Sequence, residues 1–143
     1  MKKPIFTILL TLTVTSFCSC HLEMSDNGDL DANWQLTEID TIATGGVQQM
    51  KEAGTFWAFQ FHMLQLRNGI SVVDMRFKHE SDSLFINDPY IDKRESGDQK
   101  LEDVGILRPF GINALEEHFY IRALDSEKMI LKGDKLELYF RNY

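Results

Sequence analysis

The chain has 143 residues, a length that fits one domain. Its 43% hydrophobic and 11% aromatic content supplies a core and excludes disorder of the whole chain. The net charge of −7 becomes −9 once residues 1–19, whose only charges are Lys2 and Lys3, are set aside, so phosphate backbones and anionic headgroups are repelled and nucleic acid is excluded as a partner class.

Lys2 and Lys3 open the chain, and an apolar run from Ile5 to Val14 follows, diluted by threonines. That run is too short to span a bilayer and sits where a secretory signal sits. Cys18 and Cys20 are the only cysteines. With one residue between them they would close a small, strained ring, and a lone CxC supplies too few ligands for a metal. Ser19 before Cys20 resembles the lipobox of bacterial lipoprotein precursors, although Phe17 replaces the usual leucine. The resemblance implies that residues 1–19 are removed and that Cys20 is lipidated, with palmitate among its acyl chains. An ordinary cleavage near Ser19, or an uncleaved anchor, are the alternatives. Cleavage before Cys20 would leave no free thiol, disulfide or cysteine nucleophile.

Residues 20–32 then read as a polar tether, kept solvated by Glu23, Asp26, Asp29 and Asp31. Acidic residues just after the lipidated cysteine also resemble the export tag of surface lipoproteins in some Gram-negative bacteria. The expected location is the cell envelope, anchored to the outer membrane on its periplasmic or surface face.

From Asn33 the apolar period becomes two, the mark of antiparallel strands with one buried face. NWQLTEID (33–40) is the first strand. FWAFQFHMLQL (56–66) reads as one long strand with Trp57, Phe59, Phe61 and Met63 on one face. ISVVDMRF (70–77) sets Val73, Met75 and Phe77 against Asp74 and Arg76. HFYIRAL (118–124) sets Phe119 and Ile121 against Tyr120 and Arg122. KLELYFRNY (135–143) sets Leu136, Leu138 and Phe140 against Glu137, Tyr139 and Arg141. Asn68-Gly69 and Gly133-Asp134 predict two-residue type I′ hairpin turns. VQQMKEA (47–53) predicts one helical turn or a lid, and Asn113 with Glu116 predicts a capped short helix over 114–117. Strands at this spacing make a sandwich or a barrel.

A cysteine lipobox, an acidic tether, a first strand NWQL and a closing block EEHFYIRALDSEKMILKGDKLELYFRNY resemble the small lipocalin-like lipoproteins of the Bacteroides group. The resemblance implies an all-β, lipocalin-like, up-and-down antiparallel β-barrel of about eight strands over residues 33–143, with one short helix. The first strand lacks the GxW of ligand-carrying lipocalins, since Asn33 precedes Trp34.

Such a barrel either fills its interior with side chains or holds one small ligand. A ligand cup would be lined by Trp57, Phe59, Phe61, Met63 and Met75, with Arg122 placed to fork onto a carboxylate. The competing reading packs the aromatics as core and pairs the arginines with cross-strand acids. His21, His62, His79 and His118 are scattered, and no GxSxG, HExxH or phosphate loop is present, so neither catalysis, nor a metal, nor a cofactor is expected. The expected function is a lipid-anchored monomer that binds a small apolar ligand or an envelope component. The alternative is an interaction module with a filled core and no small-molecule ligand.

Overall fold

The computed structural model describes residues 25–93 and 95–143, so the signal segment 1–19 and the lipidation residue Cys20 lie outside the described residues. The alternation from Asn33 onward becomes ten strands: β1 (Asn33–Thr41), β2 (Val47–Gln49), β3 (Phe56–Gln60), β4 (Met63–Arg67), β5 (Val72–Glu80), β6 (Ser83–Lys93), β7 (Gly97–Lys100), β8 (Glu117–Leu124), β9 (Lys128–Lys132) and β10 (Leu136–Asn142). They join in one antiparallel sheet in the order β10-β9-β8-β6-β5-β4-β3-β1, and β10 pairs back with β1 to close the barrel. The two remaining strands are exposed additions: β2 lengthens the sheet beside β1, and β7 beside β6.

The stretch 56–66 is two strands, not one. Gln60 pairs with Met63 across a two-residue turn, Phe61-His62. In such a turn residue i faces residue i+3, so the inward positions change from odd to even numbers. Trp57 and Phe59 point inward on β3, and Leu64 and Leu66 do so on β4. Phe61 and Met63 are thereby moved to the outside. Phe61 takes a positive φ of 55° to make the turn.

At the two expected type I′ turns no residue has positive φ. Asn68 instead accepts the backbone N–H groups of Ile70 and Ser71 on its Oδ1, at 2.9 and 2.7 Å, and closes a longer turn between β4 and β5. At Gly133-Asp134 the paired residues are Lys132 and Glu137, so the loop is four residues long. The helical turns are 3-10 turns over Gly28–Leu30, Lys51–Ala53, Val104–Ile106 and Arg108–Phe110. No helix forms over 114–117, because Glu117 already opens β8. Its Oε2 accepts the backbone N–H of Asn113 at 2.8 Å, so the reciprocal box expected of Asn113 and Glu116 becomes a bend tied by Glu117.

The register places the two ends of the barrel. Residues at the start of β1, the turns Phe61-His62 and Ser81-Asp82, and the β8–β9 turn lie at one end. The turns at 68–71 and 133–135 lie at the other. Each end is covered from within. At the first, Leu30 is fully buried and its carbonyl accepts the indole N–H of Trp34 at 3.0 Å. Part of the stretch read as a tether therefore packs into the barrel. At the second, Leu107, Phe110 and Ile112, from the segment between β7 and β8, are fully buried. The turn Arg108–Phe110 ends at Gly111, which has φ 83° and lies so close to Leu138 that a Cβ would meet its Cδ2 at 2.6 Å.

Candidate functional site

The interior is the first place to look for a site, and it is packed. The Trp57 ring lies 6.2 Å from Phe59, 5.9 Å from Phe119 and 5.1 Å from Phe140, the last two edge-on. Phe59 meets Phe77 edge-on at 5.1 Å. These spacings are those of favourable aromatic pairs in contact. The indole N–H of Trp57 donates to the carbonyl of Phe110 at 3.2 Å, so even the polar atom of this cluster is satisfied from inside. Met75 is also fully buried.

Of the residues expected to line a cup, Trp57, Phe59 and Met75 thus share the core. Phe61 and Met63 do not join them; they are 44% and 43% exposed on and beside the β3–β4 turn. Arg122 points outward from β8, where its Nη1 pairs with Glu137 Oε1, which also accepts the hydroxyl of Tyr139 at 2.9 Å. That hydrogen bond, with burial, pushes the Tyr139 phenol up to about 12. Arg141 likewise stays on the surface and donates from Nε to Gln35 Oε1 at 2.6 Å.

Concave surface lies outside the barrel wall. One open hollow of about 470 Å³ is lined by Asn33, Ala58, Gln60 and Phe61 and by Ser25 and Asp31. Asn27, itself buried, holds the side of Ser25 and Asp31 in place by donating from Nδ2 to the carbonyl of Phe61 at 2.7 Å and to Asp31 Oδ1 at 2.9 Å. Next to the hollow, Arg67 reaches Asn33 Oδ1 at 3.1 Å and sits 5.4 Å over the Phe56 ring, which stacks edge-on with Tyr143 at 4.9 Å. A smaller hollow of about 240 Å³ opens beside Met63, Arg76 and Tyr90, with Asp74, Asp88 and Asp98 around it. Among the described residues no group of three or more His, Cys, Asp or Glu is placed to hold a metal ion.

One polar group on β1 is out of balance. Asp40 Oδ1 is buried and has no hydrogen-bond partner. Burial, and then the neighbouring Glu38 carboxylate, raise the Asp40 carboxyl above its ordinary value.

Sequence reasoning missed the outer hollow. Its walls come from Ser25 to Asn33 and from Ala58 to Phe61, and no local pattern brings those two stretches together. The readable signal was negative: an unbroken run from 56 to 66 would be long for a strand.

The geometry is a closed antiparallel barrel, with its first and last strands paired and an N-terminal turn buried at one end. A comparison with protein-family models matches the lipocalin-like domain over residues 14–143. The chain belongs to the lipocalin-like domain family. Among solved structures, this lipocalin-like chain is similar to a lipocalin-like protein from Bacteroides uniformis, with a TM-score of 0.63 and 18% identity over 81% of this chain and 100% of the other. It is also similar to an uncharacterized protein from Bacteroides eggerthii, with a TM-score of 0.57 and 21% identity over 78% of this chain and 98% of the other. At these identities the likeness is one of fold. No curated protein matches the chain. The lipocalin-like fold suggests a binding-protein role.

Proposed function

We propose that this lipocalin-like protein is a lipid-anchored binding module of the cell envelope that recognises its partner on the outside of a filled barrel. The observation that carries this reading is the Trp57 cluster. Trp57, Phe119 and Phe140 meet across the interior, and Phe110 closes over them. Rings in contact across the interior leave a ligand no room there unless side chains move. The alternative of an interaction module therefore gains support over an apolar cargo held by Trp57, Phe59 and Met75.

The lipid anchor rests on the sequence around Cys20. Two or more acyl chains there would give stable membrane attachment, since each buried methylene adds about 0.8 kcal/mol. A second reading has one observation in its favour. The outer hollow beside Phe61, at about 470 Å³, falls in the size range of small-molecule sites. There a ligand would meet Asn33, Gln60 and Asp31 rather than the core.

Titration with a fluorescent fatty acid tests the filled core. The expected result is no saturable binding to the parent and new binding to Trp57→Ala, whose cavity opens the interior. Saturable binding to the parent that Trp57→Ala abolishes would restore the cargo reading. Detergent partition of Cys20→Ala tests the anchor: the variant should leave the membrane fraction, and a variant that partitions like the parent would remove it.

A further inference from the structure

We propose that the barrel end formed by the β3–β4 turn faces the lipid bilayer, with Phe61 and Met63 seated at the boundary between headgroups and acyl chains. This rests on the reading of Cys20 as the anchor and adds to it a facing.

The chain length sets the geometry. Ser25 is five positions after Cys20, a distance of at most about 18 Å when fully extended. Ser25 already lies against the outer hollow that Phe61 lines. Two residues later, Asn27 is bonded to the Phe61 carbonyl at 2.7 Å. A lipid anchor on Cys20 would therefore lie within that reach of the barrel end that carries the Phe61 turn. The opposite end, with the 68–71 turn, is a full strand length further away.

The turn itself supplies the second argument. A two-residue turn is ordinarily built from glycine or asparagine, which adopt positive φ at little cost. Here an aromatic residue takes φ 55° and stays 44% exposed, and Met63 beside it is 43% exposed. A bulky residue with positive φ is strained. Burial in the core does not compensate this strain, because Phe61 points outward. The bond from Asn27 to the Phe61 carbonyl holds the turn in this shape, and an exposed aromatic ring and thioether at its tip suit the boundary between headgroups and acyl chains.

The charges around the turn set the depth. Asp29, Asp82, Asp125 and Glu127 are exposed on the neighbouring turns of the same end. They repel anionic lipids and resist burial. The contact is thus shallow and favours zwitterionic headgroups.

The test uses the full chain, processed in its host and reconstituted into phosphatidylcholine vesicles with brominated acyl chains. Phe61→Trp and Ile70→Trp are made singly; Ile70 is 95% exposed in the turn at the far end. The native Trp34 and Trp57 are fully buried, so they form a nearly constant background. We expect the parent to float with the vesicles, Phe61→Trp to lose at least half of its added emission, and Ile70→Trp to lose almost none. Replacing part of the phosphatidylcholine by phosphatidylglycerol should reduce the quenching of Phe61→Trp. Met63→Trp gives the same reading if Phe61→Trp fails to fold. Flotation with equal quenching at both ends, or with none at either, overturns the facing and leaves the anchor standing. A partner protein covering this end would give the no-quenching result. Failure of the parent to float overturns the anchor, and the facing with it.

Discussion

The indole N–H of Trp57 donates to the main-chain carbonyl of Phe110, 53 positions later, at 3.2 Å. This bond ties the wall of the barrel to the segment that covers one end. Phe110 is carried there by a short turn between β7 and β8, and its ring is fully buried. A lid that merely rested on the barrel would leave room beneath it. Here the lid and the wall share a hydrogen bond inside the core.

Replacing Trp57 by alanine should destabilise the fold by about 3–5 kcal/mol, because the side chain fills the centre and the neighbours relax only partly. Trp57→Phe keeps a ring but leaves the buried Phe110 carbonyl without its donor, which costs about 1–3 kcal/mol. Urea unfolding of both variants checks the order. Equal and small effects would mean that the cluster is loosely packed.

Gly111 and Gly54 separate two costs. Both have positive φ, 83° and 62°, but a Cβ at Gly54 meets open space while one at Gly111 meets Leu138. Gly54→Ala should cost about 1–2 kcal/mol for the left-handed backbone alone. Gly111→Ala should add about 1–3 kcal/mol of overpacking against Leu138. Thermal unfolding distinguishes them, and identical losses would contradict the close approach.

Asp40 gives the protein a pH dependence of known sign. Its carboxyl is raised above the ordinary 3.8, first by burial and then by Glu38. The folded state therefore holds the Asp40 proton more tightly than the unfolded chain does. The resulting stability is present below the ordinary value and is lost as pH rises through the raised one. Asp40→Asn keeps a neutral group at all pH values. It should be more stable than the parent near neutrality, and its advantage should vanish in acid. Melting temperatures of both proteins from acid to neutral pH make the comparison; parallel curves would contradict it.

Arg122 was placed by sequence as a candidate for a ligand carboxylate, and in the structure its guanidinium meets Glu137, a carboxylate of this chain. Arg122→Ala leaves the mostly buried Glu137 with only the Tyr139 hydroxyl. The expected loss is about 1–3 kcal/mol. Glu137→Gln in the Arg122→Ala background should restore part of it. A loss that Glu137→Gln does not touch would place the role of Arg122 elsewhere.

The strand faces were legible wherever alternation was strict. Val73, Met75 and Phe77 on β5, Phe119 and Ile121 on β8, and Leu138 and Phe140 on β10 all point inward as their spacing requires. The face of Phe61 and Met63 was not legible, because Phe-His carries no turn signal and the change from odd to even inward positions depends on the turn. Leu30 was hidden for another reason. It stands alone among acidic residues, so periodicity gives it no face, and only the indole of Trp34 shows why it is drawn in. Phe110 was the hardest. Pro109 and Gly111 announce a turn, but nothing local says that the ring between them enters the barrel. The outer hollow follows the same logic, since its two walls are joined by the side chain of Asn27 reaching across to Phe61.

Native mass spectrometry of the protein purified from the membranes of its own host tests the filled barrel most directly. The mass should be that of the processed chain with its acyl groups, with nothing held non-covalently. A stoichiometric apolar molecule, retained through purification and lost on unfolding, would contradict the filled core.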